Sequence, residues 1–366
     1  MNRSISIYLD SIRFTAAILV FIGHANYERF TDGALKSISG FGHDAVVVFF
    51  VLSGYVIAFV TDTKEKNIKQ YAVSRLARLY SVVLPCLILT IILDYTGSYL
   101  DKTLYDGYWF ECDKPVFRFF SSTLFLNEIW FAHIRPFTNG PFWSLSYEFW
   151  YYVLFAAIYY LKSSTKTIVI ILVTLITGPK ILILFPIWLL GAYTYQINKN
   201  NKQNIPLGLF VFTGSLMLFY IFRKLDGPLI TNSITNEFFA GIDLNYYLRN
   251  SQNFLKDYLI GLMVAMNFIG FSLISEKTQS FLTRIEKPVK YLSNITFTLY
   301  LLHYPMLHFV AALIDNNPNS LKDQSILLFS TLLSVSIVSY IIENKKHKYK
   351  ELFANILKIT YLKNSP

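Results

Sequence analysis

The stretch Tyr8–Ala25, YLDSIRFTAAILVFIGHA, is long and apolar enough to cross a bilayer, yet it holds Asp10, Arg13 and His24. An ionisable group at mid-bilayer costs roughly 2.5–3.5 kcal/mol on the insertion scale, so three in one span need a reason. Asp10 and Arg13 are three residues apart and can pair on one helical face. Arg13 and His24 are eleven apart, and eleven steps of about 100° return to within about 20° of the starting direction while climbing ~16 Å. The two therefore share a face at opposite ends of the helix. The competing explanation is that Asp10 and Arg13 snorkel to the cytoplasmic interface while His24 sits wet at the outer one.

The rest of the chain is of the same kind. Of its 366 residues 54% are hydrophobic and 15% charged, with a mean hydropathy of +0.41, against roughly 25% charged in an ordinary soluble domain. The expected fold class is an all-α polytopic membrane protein. A single transmembrane domain, residues 1–343, is followed by a basic cytoplasmic tail, 344–366. Ten spans are expected at about 7–26, 45–61, 79–97, 142–161, 167–177, 181–197, 206–222, 257–275, 294–314 and 325–343, the fifth being the shortest. With the N-terminus inside, 20 of the 33 Lys and Arg residues fall in inward segments and 12 in outward ones, 8 of those in the two longest outward loops. Long loops translocate largely regardless of charge, so the topology reads N-in, C-in.

The net charge of +10 is then a topology signal, and no nucleic-acid partner is expected. Ordinary cytosolic enzymes are excluded by hydropathy. The first stretch has no small-residue cleavage site and reads as a retained helix rather than a signal peptide. Cys86 and Cys112, one in an apolar run and one in a polar loop, suggest neither a structural disulfide nor a metal site.

Further polar residues fall at matched depths. The second span opens GHDAVVVFFVLSGYVIAF, with His43 and Asp44 at its outer end, level with His24, and LSGY, including Ser53, supplying small residues for close helix approach. Asp44 also suits a helix cap. In QYAVSRLARLYSVVLP, Arg75 and Arg78 lie about one turn apart at the cytoplasmic mouth of the third span, where guanidinium forks suit phosphate and where positive-inside anchoring alone also accounts for cations. In NGPFWSLSYEFWYY, with Trp143 and Ser144, the fourth span enters from outside and places Glu148 about two turns deep. A carboxylate there pairs or lines a wet cavity. NITFTLYLLHYPML puts His303 mid-way along the ninth span, where a hydrogen-bonded structural histidine is the alternative. Together these residues form a polarised site, arginines inside and histidine, aspartate and glutamate outside.

Two outward segments are long. Residues 98–141 include the aromatic VFRFFSSTLFLNEIWF, expected to be interfacial or re-entrant, and 223–256 include DLNYYLRNSQN. Loops of this length are uncommon without function, and their Asn and aromatic content suits a carbohydrate, although plain connectors explain them equally. The basic C-terminal segment is expected to lie on anionic lipid.

The ordered set LDSIRFTAAILVFIGH, VFFVLSGYVI, RLARLY, WSLSYEFWYY and LYLLHYPM, spanning residues 8 to 306, resembles the acyltransferase family 3 membrane proteins, which modify polysaccharides and other acceptors at or beyond the bacterial inner membrane. The resemblance implies that His24 is the catalytic histidine with Arg13 an essential partner, that Arg75 and Arg78 engage acyl-coenzyme A, and that Glu148 is an important glutamate. Many members carry a C-terminal esterase-like domain. This chain stops about 23 residues after its last expected span, so it is expected to act alone or with a separate partner.

The expected chemistry is transfer of an acetyl or similar short acyl group from cytoplasmic acyl-coenzyme A, a co-substrate rather than a bound cofactor, to a hydroxyl of an exported polysaccharide. Arg75 and Arg78 would hold the phosphates, the pantetheine arm would thread between helices, and His24 would take the acceptor's proton or carry the acyl group. Asp44 or Glu148 would orient its ring, as in a triad, with Asp10, His43, Ser53, Trp143, Ser144 and His303 in support. The lack of a further intramembrane cation beside Arg13 favours acetyl over succinyl. The acceptor is expected to be a glycan or glycolipid, O-antigen, capsule or exopolysaccharide ahead of peptidoglycan or a small metabolite, and self-association is left open. A transporter or flippase without chemistry is the rival class, since intramembrane charges also mark substrate pathways; a structural or sensing role is the third.

Overall fold

The computed structural model describes residues 1–343 and 345–358. It is all-helical, with 78% of residues in helix and no strand among the described residues. The helices that position the site are α1 (Arg3–Ala25), α2 (Gly42–Thr63), α3 (Ile68–Leu100), α4 (Trp143–Tyr160), α5 (Ser163–Thr177), α6 (Phe185–Asn200), α7 (Ile205–Lys224), α8 (Phe254–Ile274), α9 (Gln279–Asn294), α10 (Thr296–Leu313), α11 (Leu321–Glu343) and α12 (Lys346–Ile356).

Eight helical segments are long and apolar enough to cross a membrane: Arg3–Ala25, Lys36–Thr63, Ile68–Leu100, Pro179–Asn200, Ile205–Lys224, Leu244–Ile274, Thr296–Leu313 and Leu321–Glu343. They correspond to eight of the ten expected spans. The fourth and fifth are helices too, but α4 is diluted by Ser144, Ser146, Glu148 and five tyrosines, and α5 has only 15 residues. Sequence punctuation sets several helix starts. Asn2, Asn67 and Asn204 cap α1, α3 and α7 by accepting from the backbone N–H three residues on. At 33 residues, α3 is about 50 Å long, more than the roughly 30 Å hydrocarbon core, so it reaches out of the bilayer.

Helix α1 packs against α2, α9 and α10, while α3 packs against α10 and α12. Glycine brings α2 and α6 together. A Cβ at Gly54 would stand 1.9 Å from the carbonyl oxygen of Trp188, and one at Gly191 1.9 Å from that of Val51. The LSGY motif therefore does what its small residues suggested. The long segment after α3 is not a free loop: Asp94 accepts from the backbone N–H and hydroxyl of Thr138 at 2.9 and 2.8 Å, and Asn139 donates to the carbonyl of Leu301 at 2.8 Å. These bonds fold residues 124–142 over the end of the bundle at which α1 ends, called outer here after the expected topology, the opposite end being inner. The basic segment after residue 343 packs α12 on α3, with Phe353 and Tyr80 rings 5.7 Å apart; residues 359–366 lie outside the described ones.

Candidate active site

Helix α1 sets the axis of the site. Near its inner end Arg13 Nη1 donates to Asp10 Oδ1 at 3.0 Å and to Ser293 Oγ at 3.3 Å, and Ser293 Oγ donates to the same carboxylate oxygen at 3.0 Å. The intrahelical pair is thus tied to α9. At the outer end His24 Nδ1 lies 2.9 Å from the carbonyl oxygen of Val20 and 3.1 Å from His303 Nε2.

The proton positions on these two rings follow from their partners. His303 Nδ1 faces the Leu299 carbonyl at 2.8 Å, an acceptor only, so in the neutral ring Nδ1 carries the proton and Nε2 accepts. His24 Nδ1, facing the Val20 carbonyl and His303 Nε2, must then be the donor. The lone pair of His24 is left on Nε2.

His24 lines an outer cavity of about 150 Å³ together with Tyr27, Trp109, His133, Arg135, Trp143 and Tyr304. A second series of cavities lies on the inner side. One of about 70 Å³ is lined by Arg13, Ser53, Arg78, Ser144, Glu148 and Tyr300. A second of about 130 Å³ is lined by Arg13, Arg78, Ser293, Glu343 and Lys346, and a third of about 380 Å³ by Lys64, Ser74, Arg75, Arg78, Lys346 and Lys350. Arg78 lines all three. The Ser144 and Tyr300 hydroxyls that line the smallest of these are 2.6 Å apart, and the Tyr300 ring is 6.3 Å from that of His303.

The expected site residues separate into groups. Arg13, Arg78, Glu148, Ser53 and Ser144 meet around the inner cavities, while His24 and Trp143 line the outer one and His303 holds His24. Glu148 Oε1 accepts from Ser53 Oγ at 2.6 Å and from the Tyr152 hydroxyl, and Trp188 Nε1 donates to Ser53 at 3.1 Å. Asp44 is held by Lys256 and Arg223 at 3.2 and 3.3 Å. The triad-like geometry expected for His24 is therefore replaced: Val20 and His303 orient the ring, because both carboxylates offered for that task are engaged elsewhere. His43 bonds Asp257 at 3.0 Å and stacks on Trp143 at 6.2 Å. Arg75 pairs with Glu65 at 2.6 Å, both side chains buried, and lines the third cavity alone of the three, whereas Arg78 lines them all.

Sequence reasoning passed over Tyr300, Tyr152 and the outer-cavity residues His133 and Arg135. Tyr300 sits in the LYLLHYPM stretch three residues before His303, where helical spacing could have flagged it. His133 and Arg135 carry no local signal.

The family model described as "Acyltransferase domain" matches residues 6–343. An O-acetyl transferase of Shigella phage Sf6 is 26% identical over 220 residues, covering 57% of this chain and 60% of that protein. Acyltransferase MdmB of Streptomyces mycarofaciens is 30% identical over 154 residues, covering 40% of this chain and 37% of that protein. The chain thus spans less than two thirds of the length of either relative. No solved structure matches it. The match across residues 6–343, over the same motifs that build the His24 and Arg78 cavities, makes the chain a member of acyltransferase family 3.

Proposed function

We propose that the chain is an integral membrane O-acyltransferase that moves an acetyl or similar short acyl group from cytoplasmic acyl-coenzyme A to a hydroxyl of a cell-surface or exported polysaccharide. In this reading α4 and α5 complete ten membrane helices with both termini inside, in a bacterial inner membrane. The observation that carries it is the run of cavities sharing Arg78, which leads from a mouth lined by Lys64, Arg75, Lys346 and Lys350 to Glu148 and Tyr300, next to the His24–His303 pair. Guanidinium and ammonium groups suit the donor's phosphates. The ~16 Å rise between Arg13 and His24 is comparable with the reach of a pantetheine arm. The unprotonated Nε2 of His24 is the working nitrogen, and the aromatic outer cavity suits a sugar ring. The O-acetyl transferase name of the phage relative supports acetyl as the group moved.

Calorimetry with acetyl-coenzyme A tests the donor half. The protein in nanodiscs is expected to bind it saturably, and Arg78→Ala to weaken binding about 10- to 100-fold, the worth of one or two charge-assisted hydrogen bonds. A folded wild type that neither binds acetyl-coenzyme A nor releases coenzyme A from it would sink the proposal and favour a transporter.

A further inference from the structure

The outer cavity holds a second histidine on a support of its own. Lys180 Nζ lies 2.5 Å from Glu128 Oε2, with the two side chains 0% and 1% exposed. A buried pair of this kind recovers little of its desolvation cost, so stability alone gives no reason for it. What it holds does. Glu128 Oε1 lies 2.8 Å from His133 Nδ1, and Lys180 also donates to the carbonyl of Ala132, the residue before that histidine. The carbonyl of Lys180 in turn accepts from Ser251 Oγ at 2.9 Å, and Ser251 bonds the Tyr147 hydroxyl at 3.0 Å. His133 is thereby fixed through both its ring and its backbone. Of Glu128, Lys180 and His133, only His133 lines the cavity that His24 lines.

A carboxylate on Nδ1 fixes the tautomer with the proton there, leaving a lone pair on His133 Nε2. Two such imidazoles in one cavity are redundant if His24 only takes the acceptor's proton. They are both required if His24 carries the acyl group, because its one unprotonated nitrogen is then occupied and cannot act as base.

We propose that His133 is a second catalytic imidazole, which deprotonates the acceptor hydroxyl while His24 carries the acyl group, and that Glu128, braced by Lys180, positions it; this rests on the acyltransferase reading above. In the first step His24 Nε2 bonds to the thioester carbonyl carbon and the C–S bond breaks. Coenzyme A leaves as thiolate and takes a proton from cytoplasmic water. The acyl-imidazolium keeps its Nδ1 proton between Val20 and His303. In the second step His133 Nε2 takes the acceptor's O–H proton, the oxygen bonds to the acyl carbon, and the C–N electron pair returns to His24. His133 then releases its proton to outer water.

The test needs no knowledge of the natural acceptor, because water can take its place. Full-length protein in nanodiscs is mixed with radiolabelled acetyl-coenzyme A, and both coenzyme A release and protein-bound label are followed through the first turnover and the steady state. Wild type is expected to give a burst followed by slow turnover. His133→Gln is expected to keep the burst, lose steady turnover about 10²-fold or more and accumulate bound acetyl, with part of the rate restored by added imidazole. Glu128→Gln is expected to slow steady turnover while leaving the burst and acetyl-coenzyme A binding as in wild type, a split that a purely structural role does not produce. His24→Ala should abolish burst and turnover together. A His133→Gln protein that turns over like wild type, or a folded one that loses the burst, overturns the proposal. A wild type that releases no coenzyme A overturns the acyltransferase reading itself, and the proposal with it.

Discussion

His303 Nε2 lies 3.1 Å from His24 Nδ1, on a ring whose own Nδ1 is committed to the Leu299 carbonyl. Two helices far apart in sequence thus fix one tautomer of the histidine proposed to do the chemistry. Removing the second ring while keeping its volume, as in His303→Leu, leaves His24 with Val20 as its remaining Nδ1 partner. The expected result is a fall in coenzyme A release of about tenfold, roughly one hydrogen bond's worth of positioning, with acetyl-coenzyme A binding unchanged. A loss of binding instead would place His303 on the donor path.

Arg75 and Arg78 should respond differently to the same truncation. Arg75→Ala strands the buried Glu65 carboxylate, which is expected to cost about 3–5 kcal/mol and to appear as a lower unfolding temperature and poor yield. Arg78→Ala should leave unfolding nearly unchanged and weaken acetyl-coenzyme A binding. Restoration of stability by a second change, Glu65→Gln, would tie the Arg75 effect to the pair; equal effects of the two arginines on binding alone would contradict the division.

Close packing of α2 on α6 makes a test of the scaffold. Gly54→Ala and Gly191→Ala each drive a Cβ into a partner backbone and are expected to cost at least about 1–3 kcal/mol. Because Ser53 bonds Glu148, activity should fall in the same variants. Gly214→Ala, with no neighbour within 4 Å of the added Cβ, serves as the neutral comparison in the same thermal unfolding assay.

What the sequence made legible was local. The eleven-residue step from Arg13 to His24, the small residues of LSGY and the apolar runs are all properties of single helices, and periodicity reports those. Partner choice was not local. Asp44 read as a catalytic candidate because nothing near it in the chain reveals Lys256, 212 residues on, which engages its carboxylate. Arg75 looked equivalent to Arg78 until Glu65 claimed it. His133 gave no signal because its meaning lies in a contact between a loop glutamate and Lys180, 52 residues further on. Of the ten expected spans, the polar, aromatic α4 and the short α5 are the two helices that length and composition do not by themselves qualify to cross a membrane, and there hydropathy and helix formation part company.

The inner end of α1 should hold across the ordinary pH range. Glu286 on α9 accepts from Arg3 Nε at 2.7 Å and pairs with Lys290 at 2.6 Å; the Arg3 and then the Lys290 hydrogen bonds hold its carboxyl down to about 2. A carboxylate depressed in this way contributes stability above its unfolded value near 4.5 and loses it as pH falls through about 2. Hydrogen exchange of residues 279–294, corrected for intrinsic rate, is therefore expected to stay constant from pH 8 to pH 5 and to rise in Glu286→Gln throughout that range. A wild-type rise between pH 8 and pH 5 would assign the attachment to another group.

The Asp10–Arg13 pair decides whether the charges of α1 anchor the helix or serve the reaction. Asp10 Oδ1 receives both Arg13 and Ser293, and Arg13 lines the two inner cavities that lead from Arg78 toward Tyr300. Asp10→Asn keeps the shape and the bond from Ser293 but removes the charge that fixes the guanidinium. If Arg13 guides the donor, the variant should insert and unfold like wild type, raise KM for acetyl-coenzyme A and lower kcat/KM about tenfold, the scale of one charge-assisted hydrogen bond. Arg13→Lys should behave alike, since a point charge cannot bond Asp10 and Ser293 with the planar geometry of guanidinium. Unchanged kinetics in Asp10→Asn would instead make the pair an interfacial anchor, with Arg78 left to hold the donor on its own.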